Sequence, residues 1–123
     1  MTGSPLALQA AYEYIRRTNR QEFDKIGELF SEDAVYCGPR GVVLHGRQAI
    51  GDFYASNHPD LSPTAWIVTT VTEGDSCVFE IEYRLGGAAI DDIGAVIDHF
   101  TVDDDGLVKR FVVYVRPSAS AES

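Results

Sequence analysis

In Cys77-Val78-Phe79-Glu80-Ile81-Glu82-Tyr83-Arg84-Leu85, apolar and charged residues alternate from Phe79 onward. A period of two belongs to a β-strand, whose successive side chains point to opposite faces. Cys77, Phe79, Ile81, Tyr83 and Leu85 then line a packed face, while Val78, Glu80, Glu82 and Arg84 face outward. Working outward, similar patterns predict strands over 65–72, 93–103 and 107–116. Gly86-Gly87 and Asp103-Asp104-Asp105-Gly106 read as turns.

Upstream of Pro63 the repeat is helical. Ser4-Pro5 predicts a helix start, with Ser4 as the cap and Pro5 in the first helical position. Leu8, Ala11, Tyr12 and Ile15 follow at spacings of three and four in a helix ending near residue 18. Tyr14 sits beside that stripe, next to Ala7 and Ala10, so either tyrosine could point inward. Phe23, Ile26, Leu29 and Phe30 predict a short second helix over 22–30, and 46–54 a third with Ile50, Phe53 and Tyr54 on its inner side. Between these helices, 34–38 and 41–45 read as a hairpin interrupted at Pro39. Three N-terminal helices ahead of an antiparallel sheet make an α+β fold, with the helices covering one face of a curved sheet.

The 123 residues suit one undivided domain, 1–123, ordered between about 5 and 117 because the tail that follows is small and polar. Ten Lys plus Arg against nineteen Asp plus Glu leave a formal charge of −9. That balance disfavours nucleic acid and anionic membrane as partners, so a neutral or apolar small-molecule ligand is expected instead. Residues 1–6 carry neither a basic segment nor a sustained apolar run, so no signal peptide or membrane span is expected. The two cysteines, Cys37 and Cys77, are expected to be reduced thiols in a cytoplasmic protein.

Asp98 is the residue out of place. In Ala95-Val96-Ile97-Asp98-His99-Phe100-Thr101-Val102 it shares a face with Val96, Phe100 and Val102. An ionised carboxylate among such neighbours is costly, so the group either finds a partner or keeps its proton and becomes a hydrogen-bond donor. A purely structural Asp, satisfied by a Tyr hydroxyl or by backbone amides, is the alternative.

Other chemistries find little support. His45, His58 and His99 show no ligand spacing with each other or with a cysteine, so no metal is expected, and no cofactor motif is present. No serine lies in a nucleophile elbow. A tyrosine on the first helix and a carboxylic acid on a late strand remain. Two such proton donors would form an oxyanion hole if the fold brings them together.

Several segments resemble bacterial ketosteroid isomerase. They are Tyr14-Ile15, Leu29-Phe30-Ser31-Glu32-Asp33-Ala34-Val35, the run from Leu44-His45-Gly46-Arg47 to Asp52-Phe53-Tyr54, and Val96-Ile97-Asp98-His99-Phe100. Their order and spacing, from about Tyr14 to Val115, are similar to the nuclear transport factor 2 superfamily, which includes SnoaL-like cyclases and epoxide hydrolases. The resemblance implies a curved sheet and three helices around a deep apolar pocket, usually in a homodimer. In ketosteroid isomerase, a familiar example of this chemistry, a tyrosine and a protonated aspartic acid stabilise a dienolate while another aspartate shuttles the proton.

By that resemblance Tyr14 corresponds to the oxyanion tyrosine, Asp98 to the protonated acid and Tyr54 to a tyrosine hydrogen-bonded near the first. Phe30 stands where some members carry a further network tyrosine, which implies a shorter network. The implied pocket wall includes Phe53, Phe79, Ile81 and Tyr83. Val96, Phe100, Val113 and Val115 complete it, with Val115 in place of an aromatic that flanks the base in many members.

The shuttling aspartate itself is missing. In Tyr36-Cys37-Gly38-Pro39 the matching position is Gly38. Asp92 has the strand parity of Asp98, but six residues separate them by roughly 20 Å in a strand. Tyr36 faces the same side as Gly38 and suits a wall, because a phenol is a poor base at neutral pH. Cys37 has the opposite parity, and the direction of His58 is open. The expected activity is therefore acid-assisted isomerisation or cyclisation of a steroid- or polyketide-like ligand, without the usual base. A non-catalytic binding protein is the alternative, and epoxide opening a more distant one. The expected homodimer would use the outward face of the long strands, where Trp66 could lie at the contact or turn into the core.

Overall fold

The structure, a computed structural model, describes residues 5–116. Helix α1 spans Leu6–Asn19, and Pro5, expected in its first position, is instead the extended residue just ahead of it (ψ 144°); the expected cap Ser4 and the tail 117–123 lie outside the described residues. The α1 face that turns inward is Ala7, Ala10, Ala11, Tyr14, Ile15 and Thr18, and Tyr12 points to solvent. Three alanines there let the helix approach the sheet closely enough for Tyr14 to enter the core.

The segment expected as a second α-helix is a 3₁₀ helix, Phe23–Leu29. Its apolar residues explain the tighter winding. Phe23, Ile26 and Leu29 are spaced by three, so three residues per turn stack all of them on one side. Strand β1, Phe30–Cys37, follows directly and pairs through a short 3₁₀ turn, Pro39–Gly41, with β2, Val43–His45.

Helix α2 runs Arg47–Leu61, seven residues past the expected end at Tyr54. Pro59 sits inside its last turn, and Ser62 closes it in a left-handed conformation (φ 45°), its N–H donating to the His58 carbonyl at 3.0 Å. The remaining strands are β3, Thr64–Glu73, β4, Ser76–Arg84, β5, Gly94–Val102, and β6, Val108–Val115. Asp103 shapes the last turn: its Oδ1 accepts from the Asp105 and Leu107 amides, both at 3.0 Å.

The six strands form one sheet in the order β2-β1-β6-β5-β4-β3. It is mixed, where a wholly antiparallel sheet was expected, because β1 and β6 run parallel. Alternation reports which face a residue occupies and carries no information on strand direction. The return of the chain through α2, β3, β4 and β5 brings β6 back beside β1. A bulge between Ile67 and Thr69 in β3 helps to bend the sheet over the helices.

Phe30, Phe79, Phe100 and Phe111 are fully buried at the centre of the core. Phe100 meets Phe111 edge-on at 4.7 Å and Phe79 at 5.0 Å, both favourable arrangements for aromatic quadrupoles. Polar clamps fix the helices to this layer. Asn19, at the end of α1, exchanges two hydrogen bonds of 2.8 Å with the backbone of Ala65 in β3. Arg47, at the start of α2, donates from Nε to the Phe30 carbonyl at 2.7 Å.

The 3₁₀ segment and α2 cross at two glycines. A Cβ added to Gly27 would lie 3.0 Å from the Gly51 Cα and 3.5 Å from the Arg47 carbonyl oxygen, both unyielding backbone. One added to Gly51 would meet only Gly27 Cα, at 3.5 Å. Gly27→Ala should therefore destabilise the fold by about 1–3 kcal/mol, as overpacking does. Gly51→Ala should be neutral, or stabilising by up to about 1 kcal/mol through helix propensity. Urea unfolding of both variants checks the asymmetry, and equal effects would contradict it.

Candidate functional site

Asp98 lies in the middle of β5, opposite Phe79 of β4 and Val113 of β6, with 2% of its surface exposed. Its Oδ1 is buried and has no hydrogen-bond partner. Burial pushes the carboxyl pKa well above the ordinary carboxylate range. Desolvation is its cause, and among the described residues no cation offsets that cost, so burial favours the protonated form.

Three phenols face the same region. The Tyr14 and Tyr54 hydroxyls are 2.8 Å apart, with their rings edge-on at 5.9 Å. Burial drives the pKa of Tyr14 well above its usual value, the field of an ionised Asp98 adds to this, and Tyr54 pulls it partly back. Burial also dominates for Tyr54, followed by the fields of Tyr14 and Tyr36. Tyr36 is pushed up to about 12, first by burial and then by Asp98. Burial thus raises all four groups, and an ionised Asp98 would raise the three phenols further, so the surroundings favour the protonated form of each.

The hydrogen-bond arithmetic leaves one proton available. A hydroxyl donates once, so when Tyr54 donates to Tyr14, the Tyr14 proton is free to be given elsewhere. The rings around it are apolar: Tyr14 meets Phe100 and Phe111 edge-on, each at 5.5 Å.

The other expected wall residues are distributed as follows. Phe30, Phe79, Phe100 and Ile81 are buried, while Phe53, Tyr83, Val96 and Val113 are half-buried against the core. Val115 is half exposed, at the end of β6 opposite Val96. The Tyr83 ring lies over Gly94, its cross-strand partner. Two shallow hollows, of about 270 and 320 Å³, lie elsewhere on the surface, around Phe23 and Pro59 and around Ala10 and Gly106.

Groups weighed as substitutes for the absent base gain nothing from the fold. Gly38 has the Tyr36 ring lying over it. Asp92 is exposed in the connection between β4 and β5. His58 lies against Tyr54 with the rings tilted by 34° at 4.4 Å and approaches Phe23 and Phe53, and burial lowers its pKa. Its Nδ1 is buried without a partner.

The sequence reading missed Phe111 and left the direction of His58 open. Phe111 touches Tyr14, Tyr36, Phe30 and Phe100. Its parity in β6 is that of Val113 and Val115, and that signal could have found it. His58 is four residues beyond Tyr54 on the same helix face, which shows only once α2 is known to continue past residue 54. Among the described residues no three His, Cys, Asp or Glu side chains gather as a metal site would need. Among the described residues no helix is long and apolar enough to cross a membrane.

The sequence matches the model of the SnoaL-like domain over residues 11–111. No curated protein matches it. Solved structures are similar in fold. A Kribbella flavida protein provisionally named a ketosteroid isomerase superposes with a TM-score of 0.77 at 19% identity, over 92% of this chain and 79% of that one. A nuclear transport factor 2-like protein of unknown function from Cytophaga hutchinsonii gives 0.70 at 16% identity, over 95% and 96%. A Mycobacterium tuberculosis protein in complex with estradiol-17β-hemisuccinate gives 0.76 at 16% identity, over 96% and 98%.

The raised pKa of Asp98 has a directional consequence for stability. Above about pH 4 the unfolded chain loses a proton that the folded chain retains. The stability tied to that proton is complete below this pH and is lost as pH rises toward the folded pKa, by about 1.4 kcal/mol per unit. Asp98→Asn has no such proton to lose. Its stability relative to wild type should therefore climb with pH from about 4 upward in urea titrations. A difference that stays flat would mean Asp98 is ionised in the fold.

Proposed function

This chain belongs to the SnoaL-like domain family, and we propose that it is a pocket protein that grips a carbonyl or phenolate oxygen of an apolar, steroid- or polyketide-like ligand through Tyr14 and Asp98. The observation that carries this reading is the unpartnered Oδ1 of a carboxyl group only 2% exposed. Leaving such a group unsatisfied costs about 1–3 kcal/mol, and a structural Asp would have a partner. The bound steroid in the M. tuberculosis relative supports the ligand class.

Tyr14 and Asp98 each bring one proton to the ligand oxygen. Both are held by a rigid layer, so little reorganisation is needed as negative charge develops there, and the dry surroundings strengthen each bond. Tyr54 keeps the Tyr14 hydroxyl oriented. The chemistry that suits two acids is polarisation of a carbonyl for isomerisation or cyclisation. The other proton passes through substrate or water. A positioned base contributes about 10²–10⁴-fold, so a steroid isomerisation that needs one is slow here.

Gly38 and the neutral state of Asp98 favour a second reading, binding without turnover, and disfavour epoxide opening, which needs a carboxylate to activate water. The proposal includes a reducing, cytoplasmic setting in which Cys37 and Cys77 remain thiols. It also includes a homodimer. The outward face of the sheet exposes Val71, Ile97 and Tyr114, with Trp66, whose Nε1 donates to Glu82, along the same side. A second copy would cover this apolar surface.

With 2-naphthol as probe, Tyr14→Phe and Asp98→Asn should each weaken binding by about 10–100-fold, the worth of a hydrogen bond to a charged oxygen. Titration calorimetry measures this, and unchanged affinity in both variants would refute the reading. Conversion of a panel of enones that is lost in Asp98→Asn would make the protein an enzyme; binding without conversion would make it a carrier. For the dimer, sedimentation should give twice the chain mass for wild type and a monomer for Ile97→Lys. A wild-type monomer at micromolar concentration would remove that part of the proposal.

A further inference from the structure

The face of the sheet turned away from the helices can be laid out in rows, because cross-strand partners share a face. One row holds Val71, Val78, His99 and Val112, on β3, β4, β5 and β6 in turn. The next holds Thr69, Glu80, Ile97 and Tyr114. After it come Trp66, Glu82 and Ala95, with Arg116 just past β6, its N–H donating to the Ala95 carbonyl at 3.2 Å. On the other side of the first row stand Glu73, Ser76, Thr101 and Arg110. Within these rows charge is divided by strand. The β3–β4 half carries Glu73, Glu80 and Glu82, the β6 side carries Arg110 and Arg116, and Ile97, 42% exposed, lies between them.

We propose that a second copy of this chain docks here about a two-fold axis running along β5, so that β4 of each copy lies over β6 of the other in the same row. This rests on the homodimer reading and adds its register. Sheets packed face to face keep their strands nearly aligned, about 10 Å apart. Rotation about β5 exchanges the two sides of the face and leaves every residue in its row, so each pairing occurs twice. Glu82 then meets the partner's Arg116, Glu80 the hydroxyl of the partner's Tyr114, and Val78 the partner's Val112. Arg110 comes over the partner's Ser76, beside Glu73 of that same copy. On the axis, Ile97 meets its own copy. So does His99, whose Nε2 is buried without a partner in the single chain, and the two rings can share a hydrogen bond, one donating and one accepting. An axis across the strands would instead reverse the rows, set Arg110 on the partner's Arg116 and lay Glu80 over the partner's Val78. Charge complementarity therefore selects the axis along β5.

The test is an exchange of charge, read by sedimentation equilibrium. Glu82→Arg and Arg116→Glu each oppose two like-charged pairs across the axis, and each should weaken the dimer at least about tenfold. Mixing the two variants in equal amounts restores opposite charges at both places. A heterodimer should then form with an affinity within about threefold of wild type, as should the homodimer of the chain carrying both substitutions. A wild-type dimer that neither substitution weakens, or folded variants whose mixture stays monomeric, would overturn this register and leave the dimer itself standing. A wild-type monomer at micromolar concentration would remove the homodimer reading and this proposal with it. Should Glu82→Arg fail to fold for want of its bond from Trp66, the neighbouring row makes the same exchange. Tyr114→Glu should weaken the dimer, and mixing it with Glu80→Lys should restore association; no restoration would again overturn the register.

Discussion

A carboxyl side chain in the middle of β5, flanked by Phe79 and Val113 on the neighbouring strands, leaves water without gaining a hydrogen bond at Oδ1. Everything around it follows from that cost. Burial raises its pKa, and in the protonated form it can share this region with phenols that would otherwise be forced to solvate a charge. Neutral acids tolerate each other at close quarters, which is why three tyrosines can share the space.

Maintaining that arrangement depends on features far from the cluster in sequence. Tyr14 reaches the core because alanines at 7, 10 and 11 bring α1 down onto the sheet, and because Asn19 ties the end of the helix to Ala65. Tyr54 is set by α2, whose start is held by Arg47 on the Phe30 carbonyl. Phe100 and Phe111 fill the space between strands and helix, so neither phenol has room to turn away. Stability and site geometry share the same contacts.

Much of this was legible in the sequence where a periodicity or a misplaced residue carried it. Alternation in 77–85 located β4, and a carboxylate among Val96, Phe100 and Val102 marked Asp98. The features that were not legible depend on tertiary context. The parallel pairing of β1 with β6 leaves no trace in alternation. The 3₁₀ winding of 23–29 differs from an α-helix by a small shift of spacing within seven residues. Helix α2 continues past residue 54 with Pro59 in its last turn, and so brings His58 onto Tyr54. That a glycine stands at the position the resemblance matches to the shuttling aspartate was visible; that the Tyr36 ring lies over it was not, because the contact depends on a rotamer.

The protonation state of Asp98 is the point on which the account stands. Carboxyl-detected NMR titration of the selectively labelled protein reads it directly. The account predicts that the Asp98 carboxyl carbon keeps the shift of a protonated acid through neutral pH while exposed carboxylates titrate near their reference value of about 4. A midpoint for Asp98 in that ordinary acidic range would contradict it, and would leave a carboxylate where the proposed site needs a second proton donor.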